Sequence, residues 1–113
     1  MKLTVLGNYG PYPIANSACS GFLIDSGDSK IVMDFGSGVM SRLQQYIGIE
    51  EISAIILTHL HSDHMSDIMV LRYAAEIMMM KGQLKAPIKI YAPDDPREEF
   101  ERLKYKEVLD IIP

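Results

Sequence analysis

Apolar residues follow two spacings along this chain, and the switches between them mark out its elements. Lys2 to Leu6 reads as a short strand stopped at Gly7. Between Gly7 and Pro13, two glycines and two prolines enforce a loop. Ala18 to Ile24 and Ser29 to Asp34 form a β-hairpin across Asp25-Ser26-Gly27-Asp28, with Gly27 suited to a turn position of positive φ. Ser37 is the expected N-cap of a helix in which Val39, Leu43, Tyr46 and Ile47 recur at helical spacing, ending near Gly48. Ile52 to Leu57 is an apolar run of strand length, consistent with a strand covered on both faces. Ser66 to Lys81 is read as a helix capped by Ser66, with Asp67 in its first turn and Gly82 closing it. Ile88 to Tyr91 is a further strand, and Asp95-Pro96-Arg97 opens a last helix running to about Leu109. The apolar end, Val108 to Pro113, reads as chain stopped before one more strand. Strands alternating with helices predict an α/β architecture.

Size and composition narrow the class. A chain of 113 residues is expected to be one domain, 1–113, burying roughly two-thirds of the surface that it exposes when unfolded. Its hydrophobic share of 48% is too high for a disordered chain. A net charge of -4 argues against a broad nucleic-acid-binding face, although 11 basic residues leave room for a local groove. Cys19 is the one cysteine, which excludes an internal disulfide and a cysteine-based zinc cluster. With no signal peptide, the expected compartment is a reducing cytoplasm. Arg72, Tyr73 and Glu76 interrupt the apolar stretch Ile68 to Met80, so it is not read as a membrane span.

Candidate chemistry is concentrated in Thr58-His59-Leu60-His61-Ser62-Asp63-His64. A lone histidine is most often a surface or satisfied core residue. Here all three histidines of the chain and an aspartate fall within six positions, directly after a buried strand. His59 and His61 are two apart, so in extended chain their side chains share one side. They leave the strand at its carboxyl end, where α/β folds place their sites. Asp63 and His64 then lie in the turn leading to the helix near Ser66. Four donors suffice for two ions, with His59 and His61 on one and Asp63 and His64 on the other. Imidazole suits zinc, and the carboxylate adds charge that helps hold the second ion.

The run Thr58 to His64 resembles the His-x-His-x-Asp-His hallmark of the metallo-β-lactamase-fold hydrolases. Lys2 to Gly7 is similar to that family's first strand, and Ile31 to Gly36 to its strand ending in Asp-x-Gly. The motif and the early Gly-Pro-Tyr-Pro loop look most like ribonuclease Z and the phosphodiesterase-like proteins around it. Ser37, however, stands where ribonuclease Z tends to carry Glu. The resemblance implies the N-terminal half of a four-layer αββα fold, truncated at its C-terminus. It implies two zinc ions per complete domain, with manganese or iron as alternatives. It gives His59 and His61 to the first ion and Asp63 and His64 to the second. A bridging hydroxide would be the nucleophile, with Asp63 taking or orienting its proton, and Asp34 would hydrogen-bond the ligands from behind. His61 stands where the flavodiiron branch carries Glu, which implies hydrolysis rather than oxygen reduction.

The expected substrate is therefore a small-molecule or nucleic-acid phosphodiester, RNA included. Thioester or lactone hydrolysis is the enzymatic alternative. The family completes its site with downstream His and Asp ligands, and this chain has no histidine beyond His64. The chain alone is accordingly expected to catalyse poorly or not at all. A non-catalytic interaction module is the remaining reading, and an unfinished core with open sheet edges favours a homodimer. Met65, Met69, Met78, Met79 and Met80 are read mainly as core, as is the small thiol of Cys19. The loop from Gly7 to Ile14 either contacts substrate or only fixes a turn, and Arg97 to Lys106 is read as the solvated side of a helix.

Overall fold

The computed structural model describes all 113 residues. Turn-forming segments cut the early strands short: β1 (Lys2–Gly7), β2 (Gly21–Asp25) and β3 (Lys30–Met33) pair antiparallel in succession. The β2–β3 turn is the expected one. Gly27 takes φ +92°, and its amide donates to Asp25 Oδ1 at 2.8 Å. From β3 onward the pairing is parallel, through β4 (Ala54–Ile56), β5 (Ile88–Tyr91) and β6 (Leu109–Ile112), so the sheet order follows the chain. Parallel neighbours need crossovers. These contain α1 (Val39–Leu43), then α2 (Ser62–Met65) with α3 (Ile68–Met80), and finally α4 (Arg97–Arg102).

Strand alternation gives the sheet two unlike faces. Leu23, Val32, Ile55 and Ile90 stand in register on one face and are buried with Leu43 of α1, Leu71 of α3 and Phe100 of α4 in a single core. On the other face, Val5, Phe22, Met33, Ile56, Tyr91 and Ile112 form a row across all six strands that no helix covers. Leu3 and Val5 on that face are 63% and 54% exposed. No helix is long and apolar enough to cross a membrane.

Three expected elements differ in the structure. The last helix ends at Arg102 instead of about Leu109, and Leu109–Ile112 is itself the sixth strand. Phe100 and Leu103 supply the helical spacing, but Leu109 and Ile111 bury more by standing beside Ile88 and Ile90 of β5. The helix expected from Ser66 begins at Ile68 with Asp67 as its N-cap, and Ser66 instead ends the separate helix α2. Ser37 is not the cap of α1, whose N-cap is Gly38 at φ +91°, and α1 ends at Leu43 instead of near Gly48. Asp67 Oδ2 instead accepts from the amides of Gly38 and Met40, at 3.1 and 2.9 Å, so that the start of one helix satisfies the start of another. Gly82 does close α3 as expected, at φ +73°, with Gln83 N donating to Met78 O and Gly82 N to Met79 O. Met65, Met69, Met78 and Met79 pack against the core, whereas Met80 is 82% exposed.

Burial holds the Asp67 carboxyl above the usual carboxylate range, against the opposing effect of the Met40 and Gly38 amides. A raised folded pKa means that the native state binds the proton more readily than the unfolded chain. Asp67 therefore contributes most to stability below about pH 4 and loses that contribution as pH rises through its folded value. Asp67→Asn keeps an acceptor oxygen without the buried charge. Its stability relative to wild type is expected to improve between pH 4 and pH 7, read from urea midpoints; a constant or opposite difference contradicts this account.

Candidate metal centre

β1, β3, β4 and β5 all run the same way, so the loops after them emerge at one edge of the sheet. Asp34 follows β3, and Thr58 to His64 follows β4. Asp34 is the one charged side chain that is fully buried, and its φ of +62° turns the chain sharply at the strand end. Its Oδ1 accepts from the Thr58 amide at 2.8 Å and from the Thr58 hydroxyl at 2.9 Å. Its Oδ2 lies 2.9 Å from His64 Nδ1.

These contacts define the proton positions. A buried carboxylate accepts, so His64 Nδ1 carries the hydrogen and Nε2 is the nitrogen left to ligate a metal. The Thr58 hydroxyl gives its single proton to Asp34, so at 3.0 Å it accepts from His59 Nδ1. His59 then also presents a free Nε2. The same carboxylate thereby orients two imidazoles, one directly and one through a hydroxyl.

The backbone beside these rings is tightly stitched. Phe35 N donates to His64 O at 2.7 Å, Ser20 N to Asp63 O at 3.3 Å, and Asp67 N to Phe35 O at 3.0 Å. A Cβ on Gly36 would lie 2.1 Å from the Asp63 carbonyl oxygen, so no larger residue fits there. A Cβ on Gly10 would lie 2.7 Å from Asp63 Oδ2, which brings the loop after β1 against the Asp63 carboxylate. Asp63 and His64 occupy the one-turn helix α2, with His61 as its N-cap, rather than an open turn.

The sequence-designated donors are brought together. The His59 ring lies 4.8 Å from that of His64 and 6.0 Å from that of His61, centroid to centroid, and His64 Nε2 is 3.5 Å from Asp63 Oδ2. No three His, Cys, Asp or Glu groups converge on one metal-sized point. The donor set nonetheless fits zinc chemically: imidazoles engaged at Nδ1 and presenting Nε2, a carboxylate beside one of them, and a buried acceptor behind. It fits as two incomplete pairs.

Beside the histidines opens a cleft of about 490 Å³, walled by Thr58, His59, His61 and, from the segment after β5, Pro93, Asp95, Pro96 and Glu99. Cys19 is buried, and desolvation pushes its thiol up, the nearby Asp63 and Asp67 charges adding to the rise against a Ser37 backbone hydrogen bond. It is an inert packing residue, in keeping with its reading as core. Sequence reasoning missed the linking role of Thr58, the close approaches at Gly10 and Gly36, and the wall from Pro93 to Glu99. Only the two glycines carried a signal, as loop residues beside a motif.

Residues 15–112 match the metallo-beta-lactamase superfamily, and the chain belongs to that family. It is 42% identical over 106 residues to the probable metallo-hydrolase YhfI of Bacillus subtilis, covering 94% of this chain and 43% of that protein. The crystal structure of YhfI superposes with a TM-score of 0.93 at 40% identity, over 97% of this chain and 45% of the YhfI chain. A ribonuclease Z of Mycolicibacterium gilvum is 39% identical over 69 residues, 60% of this chain and 24% of its own length. The chain thus spans less than half of the relatives it matches, and its fold is the partial metallo-β-lactamase fold expected from the motif.

Removing the Asp34 carboxylate strands the Thr58 amide, the Thr58 hydroxyl and His64 Nδ1. Asp34→Ala is expected to destabilise the fold by about 1–3 kcal/mol in urea denaturation, as for unsatisfied buried groups. A loss below about 0.5 kcal/mol, the range of a neutral surface change, would remove Asp34 from its organising role.

Proposed function

We propose that residues 1–113 are part of a metal-dependent hydrolase domain of the cytoplasm and carry four ligands of a binuclear zinc centre that cleaves a phosphodiester. His59 and His61 serve one ion, and Asp63 and His64 the other. The carrying observation is the Asp34–Thr58–His59 and Asp34–His64 network, which engages Nδ1 of both rings and leaves their Nε2 atoms for a metal. Bound zinc supplies an acidified water and positive charge against the oxyanion that develops on phosphorus. The chain's own groups do the rest. Asp34 holds His64, Thr58 holds His59, and the Asp63 carboxylate, 3.5 Å from His64 Nε2, orients or takes up the proton released.

A catalytic zinc takes three protein ligands, and each pair here supplies two, so the remaining donors come from outside these residues and the chain alone turns over little. Manganese or iron would suit the same donors. The choice of a phosphodiester, RNA among them, over a thioester or lactone is supported by the likeness to ribonuclease Z.

Equilibrium dialysis with elemental analysis tests the centre. Wild type is expected to retain zinc weakly, His61→Ala to lose it from the first pair, and Asp34→Asn to bind about 10–100-fold less tightly. Equal zinc uptake by all three proteins would refute the ligand assignment.

A second reading has an observation of its own. The apolar row from Val5 to Ile112 favours an interaction module that pairs with a second copy of itself, sheet face against sheet face. Sedimentation in chelator is then expected to show a dimer that Val5→Glu dissociates. A wild-type monomer at high concentration excludes this pairing.

A further inference from the structure

Most exposed apolar side chains belong to the open sheet face, as Leu3 and Val5 do, or to the outer side of α3, as Val70 and Ile77 do. Tyr9 and Tyr12 belong to neither. They are 43% and 68% exposed, and they stand on the loop after β1, on either side of Gly10. Gly10 is the residue whose missing Cβ leaves room for Asp63 Oδ2, so this loop rests on the proposed metal centre itself.

The backbone of this loop is held in place. Pro11 and Pro13 restrict the backbone on both sides of Tyr12. Tyr9 N donates to Ala18 O at 3.1 Å, and the Ser17 hydroxyl to Ile14 O at 2.7 Å. The Arg42 guanidinium ties down Leu6 O and Asn16 O beneath it. An aromatic ring on a fixed backbone loses little freedom when a ligand covers it, which favours its use in binding.

Charge separates the two sides of the site. Residues 8–20 carry no charged side chain, whereas the cleft on the β5 side is walled by Asp95 and Glu99. The tyrosine loop adds no charge of its own to repel an anionic strand, whereas two carboxylates stand on the β5 side. We propose that Tyr12, with Tyr9 on the same loop, is a stacking platform for a base of a single-stranded oligonucleotide whose phosphodiester lies at the metal centre. This inference rests on the phosphodiester reading above. What it adds is the residues that would select an unstacked base beside the scissile phosphodiester. Stacking on tyrosine tolerates any base, so the platform gives preference for single strands without sequence specificity.

The test is a binding titration of tetra-adenylate and of an abasic tetramer of equal charge, each against the chain with and without zinc. Tyrosine ring resonances in NMR serve as the second readout. Tetra-adenylate is expected to bind about tenfold or more tighter than the abasic strand. Tyr12→Ala should abolish that preference, Tyr12→Phe should retain it, and the Tyr12 ring signals should shift on titration. Equal binding of the two strands to wild type, or an unchanged preference in Tyr12→Ala, overturns the platform even if zinc binds as proposed. A Tyr12-dependent preference in a chain that takes up no zinc upholds the platform and sinks the metal centre instead.

Discussion

A carboxylate removed from water needs donors, and Asp34 finds all of its partners in the segment that follows the neighbouring strand. The Thr58 amide and hydroxyl and His64 Nδ1 converge on its two oxygens at 2.8 to 2.9 Å. The burial that makes an unpaired carboxylate so costly also makes this arrangement specific, because few other placements of Thr58 and His64 would satisfy it. The clamp joins the ends of β3 and β4, selects the tautomer of two histidines and seats α2 against Phe35 and Gly36. Stability and chemistry share this one group.

Topology supplies the rest of the setting. Four strands running in the same direction send their following segments to one edge, where the loop after β1, Asp34, the histidine run and the Pro93–Glu99 segment meet. Glycine is required where backbone must touch backbone or carboxylate there, at Gly36 and Gly10. The opposite property, a broad apolar face without a cover, belongs to the sheet as a whole. Helices pack on one side only, so half of the strand residues find core and the other half remain available to a second layer.

Much of this was legible beforehand, residue by residue. The first five strands, the Gly27 turn, the Gly82 helix stop and the membership of the metallo-beta-lactamase superfamily all follow from local patterns, and the first three need only a few neighbouring residues to form. The misread elements failed where a distant partner outweighed local preference. Leu109 to Ile112 continues a helical-looking segment but gains a ladder with β5. Ser37 has the chemistry of a cap, yet Asp67, 30 positions later, reaches the α1 amides.

The sequence by itself determined the family, the candidate ligands His59, His61, Asp63 and His64, and the expectation that Asp34 would stand behind them. A metal motif is compressed into six positions, and its spacing survives any detail of packing. Only the tertiary structure decided that Thr58 links His59 to Asp34, that Gly10 lets a tyrosine-bearing loop rest against Asp63, and that Asp95 and Glu99 wall the cleft. These contacts join residues 1 to more than 50 positions apart. Which of them meet is settled by strand direction and by the burial of a single carboxylate, and neither is written in any local stretch of the chain.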